Sequence, residues 1–145
     1  MPLFEYQVSL QRVIDGDTYV LNEIDLGFET SLRDVRLRLL DIDTAEICRP
    51  ASDEEIELGH EQTAFVEEWF LDGAINYDGD QAGDRSGQYP FVLRSHRWDR
   101  DSFGRVLGHI SRKCDASTHE HARELNLDLA SVLFDEYGVD VLYDR

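Results

Sequence analysis

The chain has 145 residues, of which 41% are hydrophobic and 10% aromatic, and this composition suits one compact domain with its own core. Its 14 basic and 31 acidic residues give a net charge of −17, which argues against non-specific binding to nucleic acid or anionic membranes without excluding a local basic cleft. No stretch approaches the roughly 20 apolar residues of a membrane span, and the N-terminus lacks the features of a signal peptide. The sequence therefore predicts a cytoplasmic protein without a membrane partner.

The two cysteines, Cys48 and Cys114, are too few for a disulfide framework. Without an export signal, free thiols are the default expectation. A single bridge between Cys48 and Cys114 is left open as the alternative.

The first forty residues alternate apolar and polar side chains as β-strands do. This alternation predicts strands at residues 5–14, 18–24 and 35–40. A tight turn is expected at Asp15-Gly16-Asp17, and residues 26–33 are expected to form a second connection.

The middle of the chain changes from strand to helix patterns. Residues 41–59 have no clean period and predict a loop, although the acidic run at residues 53–57 is also typical of a solvated helix start. Apolar residues at helical spacing predict a helix over residues 60–70. Residues 72–88, rich in Gly and Asp, predict an exposed loop.

The C-terminal third repeats the strand pattern and then ends in a helix. Strands are expected at residues 89–98 and 105–111, around a turn at residues 101–104. Ser117 and Glu120 have capping-box spacing, which predicts a helix that runs on to Tyr137 and stops at Gly138.

The order of these elements predicts the fold class. Three strands, a helix, two strands and a helix are the order of an OB-type barrel. We therefore expect an α+β protein in which a five-stranded OB-fold-type β-barrel is flanked by two or three α-helices, as a single domain over residues 1–145.

Carboxylates form the first candidate cluster. Asp17 precedes a predicted strand, and Asp43 and Glu46 follow the end of another. Hard cations such as Ca²⁺ take oxygen ligands from carboxylates, carbonyls and water, so these residues suit an incomplete cation cage. The alternative is that acidic residues in an acidic protein fall in turns by chance.

Two arginines form the second candidate cluster. Arg38 lies within a predicted strand, and Arg105 follows Gly104 at a turn. A guanidinium binds phosphate oxygens through a planar fork and keeps its charge, so two of them suit a phosphoryl transition state. Taken singly, each arginine is better explained by a salt bridge to a neighbouring Asp.

Taken together, these segments resemble the staphylococcal nuclease family, also called the thermonuclease-like family. The pair Arg-x4-Asp-Thr-x-Glu and Asp-x-x-Gly-Arg is specific, and the matching stretches run in the family's order through most of the chain. These stretches are VIDGDTYVL at residues 13–21, RLLDIDTAE at 38–46, GHEQTAF at 59–65, DSFGRVLGHI at 101–110 and NLDL at 126–129.

The resemblance implies a metal site and a phosphate site. Asp17 and Asp43 would be Ca²⁺ ligands, with the Thr44 carbonyl as a third. By the same resemblance, Glu46 would orient or deprotonate the attacking water. Arg38 and Arg105 would grip the scissile phosphate, and residues 102 and 103 would contact the substrate.

The sequence also departs from the family's pattern, and relative to that pattern the loop at residues 72–88 is an insertion. Ala45 replaces the usual Pro, and Ser102 and Phe103 replace a Lys and a Tyr. The replacements remove a cation and a phenol hydroxyl from the expected 5′-phosphate contact, although Phe103 can still stack on a base. The family's nucleotide-contacting Tyr has two candidates here, Tyr137 and Tyr143.

The resulting prediction is a monomeric, Ca²⁺-dependent nuclease that hydrolyses phosphodiester bonds of DNA, RNA or both, with no obligate protein partner. The alternative is a catalytically inactive OB-fold module that binds nucleic acid or protein. The histidines at residues 96, 109, 119 and 121 lack the i, i+4 spacing of a helical zinc site, so ordinary polar roles are expected for them.

Overall fold

The fold consists of five strands and two helices in a computed structural model that describes residues 4–45, 52–75, 77, 79, 87–96, 99–113 and 128–138. The strands are β1 (Phe4–Asp15), β2 (Thr18–Gly27), β3 (Thr30–Leu39), β4 (Phe91–Ser95) and β5 (Val106–Arg112). The helices are α1 (Asp53–Ile75) and α2 (Leu129–Tyr137).

The strands close into a barrel in the order β1-β2-β3-β5-β4, with β4 returning to β1. Every neighbouring pair is antiparallel except β3 and β5, which run parallel. A parallel pair needs a long crossover connection, and α1 lies within that connection. The predicted fold class, an OB-type barrel with flanking helices, is confirmed.

Alternate residues of each strand fill the barrel. On β3, Val35, Leu37 and Leu39 are buried, while the residues between them face outward or toward the barrel's rim. The same two-residue period brings Arg38 to the outer face, beside Leu107 of the parallel strand β5. The alternation of buried and outward-facing residues along β3 therefore determines the position of Arg38.

Helix α1 covers the barrel with one face of helical spacing, whose buried members are Gly59, Gln62, Val66, Trp69, Phe70 and Gly73. Phe70 meets Tyr19 and Phe91 edge to face, with ring centroids 5.2 and 5.0 Å apart. Aromatic pairs in this geometry stabilise a core beyond the area that they bury. The contact joins α1 to the barrel beneath the β1–β2 turn.

Three elements have boundaries that were predicted wrongly. Residues 30–33, expected as a connection, belong to β3, because the β2–β3 turn is made by Phe28 and Glu29 with φ of 55° and 63°. Helix α1 begins at Asp53, so the loop expected over residues 41–59 ends earlier, and the acidic run at residues 53–57 begins the helix. At its other end, α1 includes residues 72–75, which were expected to be the first part of the inserted loop.

The third of these elements is the last helix, whose start was predicted wrongly. Asp128 is extended, with φ −89° and ψ 122°, and its side chain accepts a hydrogen bond from the Ser131 backbone N–H. It therefore caps α2, and the helix does not run unbroken from residue 117. Gly138 ends it as predicted, with φ 60°.

Several predictions lie outside the described residues. They concern the two cysteines, the capping box at Ser117 and most of the predicted insertion. No helix in the described part of the chain is both long and apolar enough to cross a membrane.

Candidate active site

The first part of the site is the turn between β1 and β2. The buried hydroxyl of Tyr19 donates a hydrogen bond to the Gly16 carbonyl over 2.6 Å and holds the turn from beneath. Burial raises the pKa of Tyr19, and the negative charges of Asp17 and Asp15 raise it further, while Arg38 lowers it. The hydroxyl therefore keeps its proton and stays a donor at neutral pH.

Asp17 connects this turn to the segment after β3. It is only 7% exposed, and its Oδ2 accepts a hydrogen bond from the Thr44 backbone N–H over 2.9 Å. A Cβ at Gly16 would lie 2.6 Å from Thr44 Cγ2, so only glycine lets the two segments come this close. The sequence motif places Asp17 and Thr44 in separate stretches, and the fold brings them together.

Arg38 lies between the carboxylates. Its Nη2 is 3.5 Å from both Asp17 Oδ2 and Asp43 Oδ1, and its Nη1 donates to the Leu39 and Ile42 carbonyls. The side chain is only 15% exposed. Arg38 thus holds the loop after β3 against the β1–β2 turn.

The oxygen atoms around Arg38 are of the types that a hard cation prefers. Asp17 Oδ2 and Asp43 Oδ1 each lie 3.5 Å from Arg38 Nη2. The two carboxylates are therefore neighbours across this nitrogen. The buried Thr44 Oγ1 has no hydrogen-bond partner among the described residues. Carboxylate and carbonyl oxygens are the ligands that Ca²⁺ prefers, with water completing the shell.

Gln62 is a site residue that the sequence analysis missed. It is fully buried on α1, and its Oε1 accepts a hydrogen bond from the Ala45 backbone N–H over 2.7 Å. This bond fixes the loop at the residue before Glu46. Glu46 itself lies outside the described residues, so its predicted role stays a prediction.

Arg105 belongs to the turn before β5. Its Nε and Nη2 lie 3.1 and 3.0 Å from Asp101 Oδ2, and its backbone N–H donates to Asp101 Oδ1. Burial raises the pKa of Asp101, but hydrogen bonds from the Arg105 backbone and guanidinium outweigh burial and hold the pKa below its usual value. The carboxylate thus fixes the orientation of the arginine.

Arg38 and Arg105 both line one cavity of about 230 Å³ beside the paired strands β3 and β5. Leu39, Leu107 and Asp41 also line it. A larger cavity of about 530 Å³ lies between β1 and α1, but neither Arg38 nor Arg105 lines it. The smaller cavity is therefore the candidate site.

The two predicted substrate contacts lie on the turn beside this cavity. Phe103 is 78% exposed, and the Arg105 guanidinium carbon lies 5.2 Å from its ring centroid. Ser102 is exposed on the same turn. An exposed ring next to an arginine suits the stacking of a base.

Of the two candidate tyrosines, Tyr137 packs against Phe65 of α1, with ring centroids 5.7 Å apart. Burial, the charges of Glu61 and Glu136 and a hydrogen bond with Glu61 raise the pKa of Tyr137 to about 12. Tyr137 therefore joins the helices, whereas Tyr143 lies outside the described residues.

A histidine pair next to the cavity was also missed by the sequence analysis. His96 Nε2 lies 3.1 Å from His109 Nδ1, and His109 Nε2 lies 3.0 Å from Asp41 Oδ2. The two histidines are 13 residues apart, and His109 is 68 residues from Asp41. No local sequence pattern reports such pairs; strand register is the signal that would have found them.

No protein-family model matches this sequence, and a search of curated proteins gave no match. The resemblance to the staphylococcal nuclease family thus rests on the motifs described above.

Proposed function

We propose that the chain is a Ca²⁺-dependent phosphodiesterase of the staphylococcal nuclease type, acting on DNA, RNA or both. One observation carries the proposal: the two motif arginines, 67 positions apart in the sequence, line one cavity, and the motif carboxylates contact one of them. Separate surface salt bridges would not require this convergence.

Each residue has a chemical task in this proposal. Arg105, oriented by Asp101, and Arg38 bind the non-bridging oxygens of the scissile phosphate and stabilise the charge that grows in the transition state. Asp17, Asp43 and the Thr44 carbonyl hold Ca²⁺, which supplies positive charge to the phosphate when bound. Glu46 takes the proton of the attacking water, a role that rests on the motif alone.

Arg38 must exchange partners for this chemistry. Its guanidinium lies against Asp17 and Asp43. A cation held by the two carboxylates would take over their neutralisation and would leave the guanidinium free to turn to the phosphate. Cation and phosphate binding are therefore expected to be mutually favourable in this site.

The test is cleavage of plasmid and single-stranded DNA and of RNA with Ca²⁺ or with excess chelator. We expect cleavage only with Ca²⁺. The variants Arg38→Ala, Arg105→Ala and Glu46→Gln are each expected to lower turnover by about 100-fold or more, the scale of one lost transition-state donor. Arg94→Ala, which removes an exposed arginine of β4, is the matched control and should leave turnover unchanged.

The second candidate is a catalytically inactive module of the same fold that binds nucleic acid or protein. The observation in its favour is that both arginines already have carboxylate partners. Binding of an oligonucleotide without cleavage in Ca²⁺ would establish it. Cleavage that continues in excess chelator would contradict the Ca²⁺-dependent mechanism.

A further inference from the structure

The His96–His109 pair lies outside the set of residues proposed for phosphodiester cleavage. Its rings are nearly perpendicular, at 82°, and their facing nitrogens are 3.1 Å apart. His96 is exposed, and the His109 side chain is 21% exposed. Solvent and small ions can therefore reach both rings.

Strand geometry holds the two histidines together. Residue 109 on β5 pairs with Arg94 on β4, and His96 directly follows Ser95, the last residue of β4. A Cβ at Gly108 would lie 2.4 Å from the Arg94 carbonyl oxygen, so glycine permits the close approach of β4 and β5 here. The pairing of β4 and β5 thus positions His109 and the residue that follows β4.

Asp41 sets the protonation pattern of the pair. A carboxylate only accepts hydrogen bonds, so the His109 Nε2–H donates to Asp41 and His109 Nδ1 keeps a lone pair on the side of His96. Asp41 has φ 66°, a conformation that Asp tolerates better than most residues. A histidine that donates its second N–H to a carboxylate is the usual arrangement of a metal-bound imidazole.

We propose that His96 Nε2 and His109 Nδ1 form a binding site for one divalent transition-metal ion of the zinc type, with Asp41 orienting His109. Two nitrogens bound at about 2.0 Å lie about 2.8 Å apart at a right angle and about 3.3 Å apart at a tetrahedral angle. The observed 3.1 Å falls between these values. To bind the ion, the rings must turn so that both lone pairs point at one position instead of along the line between the nitrogens.

The chemistry of the site separates it from the carboxylate cluster. Imidazole nitrogens select Zn²⁺, Ni²⁺ and Cu²⁺, whereas Ca²⁺ requires oxygen ligands. Within the described chain, no third His, Cys, Asp or Glu completes a metal-binding group, so water fills the remaining positions. The site therefore stands whether or not the protein cleaves phosphodiesters.

The test is calorimetric titration of the full chain with Zn²⁺, after removal of bound metal and in excess Ca²⁺ to occupy the carboxylates. We expect one Zn²⁺ per chain. His96→Gln and His109→Gln should each weaken binding by at least about 10-fold. Asp41→Asn, which suits the same backbone, should weaken it by about 10-fold, the lower end of the effect of such supporting carboxylates.

A matched control removes a histidine on helix α1. His60→Gln should keep the parent affinity. His96 is exposed, so His96→Gln remains decisive if His109→Gln fails to fold. Absence of binding at 100 μM Zn²⁺, parent affinity in His96→Gln, loss in a control variant or one ion per two chains would each overturn the proposal.

Discussion

At the scale of single residues, the site is built as much by groups beneath and behind it as by the motif residues. Tyr19 supports Gly16 from the core, and Gln62 holds Ala45 from α1. Neither residue carries charge, and neither was assigned a role from the sequence, although both lie within the stretches that match the family. Both fix backbone segments that carry motif residues, so they set the precision of the site.

Tyr19→Phe should lower the free energy of unfolding by about 1–3 kcal/mol, because it leaves the buried Gly16 carbonyl without its donor. Because the folded pKa of Tyr19 is raised above its unfolded value, the stability that the protonated hydroxyl contributes is complete at neutral pH. That stability is lost only as pH rises above the ordinary tyrosine pKa of about 10. Urea unfolding at pH 7 and pH 10.5 measures both effects.

Tyr6→Phe is the matched control, because its hydroxyl makes no hydrogen bond to another described residue. Its unfolding free energy should change by less than about 0.5 kcal/mol, as is usual away from such features. Equal losses in the two variants would show that the Tyr19 hydroxyl does not support the turn.

Phe103→Ala should weaken the binding of a single-stranded oligonucleotide by about 1–3 kcal/mol, the usual contribution of one stacked base. Fluorescence anisotropy in Ca²⁺ with the Glu46→Gln background would measure binding without cleavage. Phe28→Ala removes an even more exposed ring from the β2–β3 turn and should leave the affinity unchanged. Equal effects would mean that the two rings act only as general apolar surface.

At the scale of elements, two tight turns place the functional groups. The turn at residues 101–104 carries Asp101, which accepts hydrogen bonds from the Phe103 and Arg105 backbone N–H groups and from the Arg105 guanidinium. The turn thus positions β5 and the second motif arginine together. Its stability should depend on the charge of one carboxylate.

Asp101→Asn should therefore lower the melting temperature in a pH-dependent manner. The folded pKa of Asp101 lies below its unfolded value, so the carboxylate stabilises the protein above pH about 4 and loses that effect as pH falls through the folded pKa. The difference in melting temperature between parent and variant should be full at pH 7 and should close in acid. Glu57→Gln, on the exposed face of α1, corrects for the change in net charge. A difference independent of pH would contradict the assignment.

Gly16→Ala tests the contact between the β1–β2 turn and the loop after β3. The added Cβ would lie 2.6 Å from Thr44 Cγ2, and overpacking of this kind costs about 1–3 kcal/mol. Thr44→Ala removes part of the clash, so the double variant should lose less stability than the sum of the single variants. Chemical denaturation of the four proteins measures the coupling, and strict additivity would mean that the loop moves away freely.

How well each element could be predicted depends on how far apart in the sequence its interacting residues lie. Alternating side chains and Gly-containing turns are local signals, and they predicted all five strands of the barrel. The start of β3 was missed because Phe28 and Glu29 adopt positive φ without the Gly or Asn that usually marks such a turn. The parallel pairing of β3 with β5 is long-range, so the motif predicted Arg38 and Arg105 in the site but not the His96–His109 pair.

At the scale of the whole molecule, charge should act on stability and on substrate binding in opposite directions. A net charge of −17 on 145 residues repels itself, and the repulsion is stronger in the compact state. Added salt screens it, with a Debye length that falls from about 30 Å at 0.01 M to about 10 Å at 0.1 M. The melting temperature should therefore rise over this range, and equally in NaCl and KCl.

Binding of nucleic acid should instead weaken with salt, because each arginine–phosphate contact releases counterions. Two contacts, from Arg38 and Arg105, give a slope of about −1.8 for log K against log salt on duplex DNA. Melting temperature and affinity, measured on the Glu46→Gln variant across one NaCl series, separate the two effects. A melting temperature that falls with salt would show that self-repulsion does not control the salt dependence of stability. A much steeper slope in affinity would require a basic surface well beyond the cavity between β3 and β5.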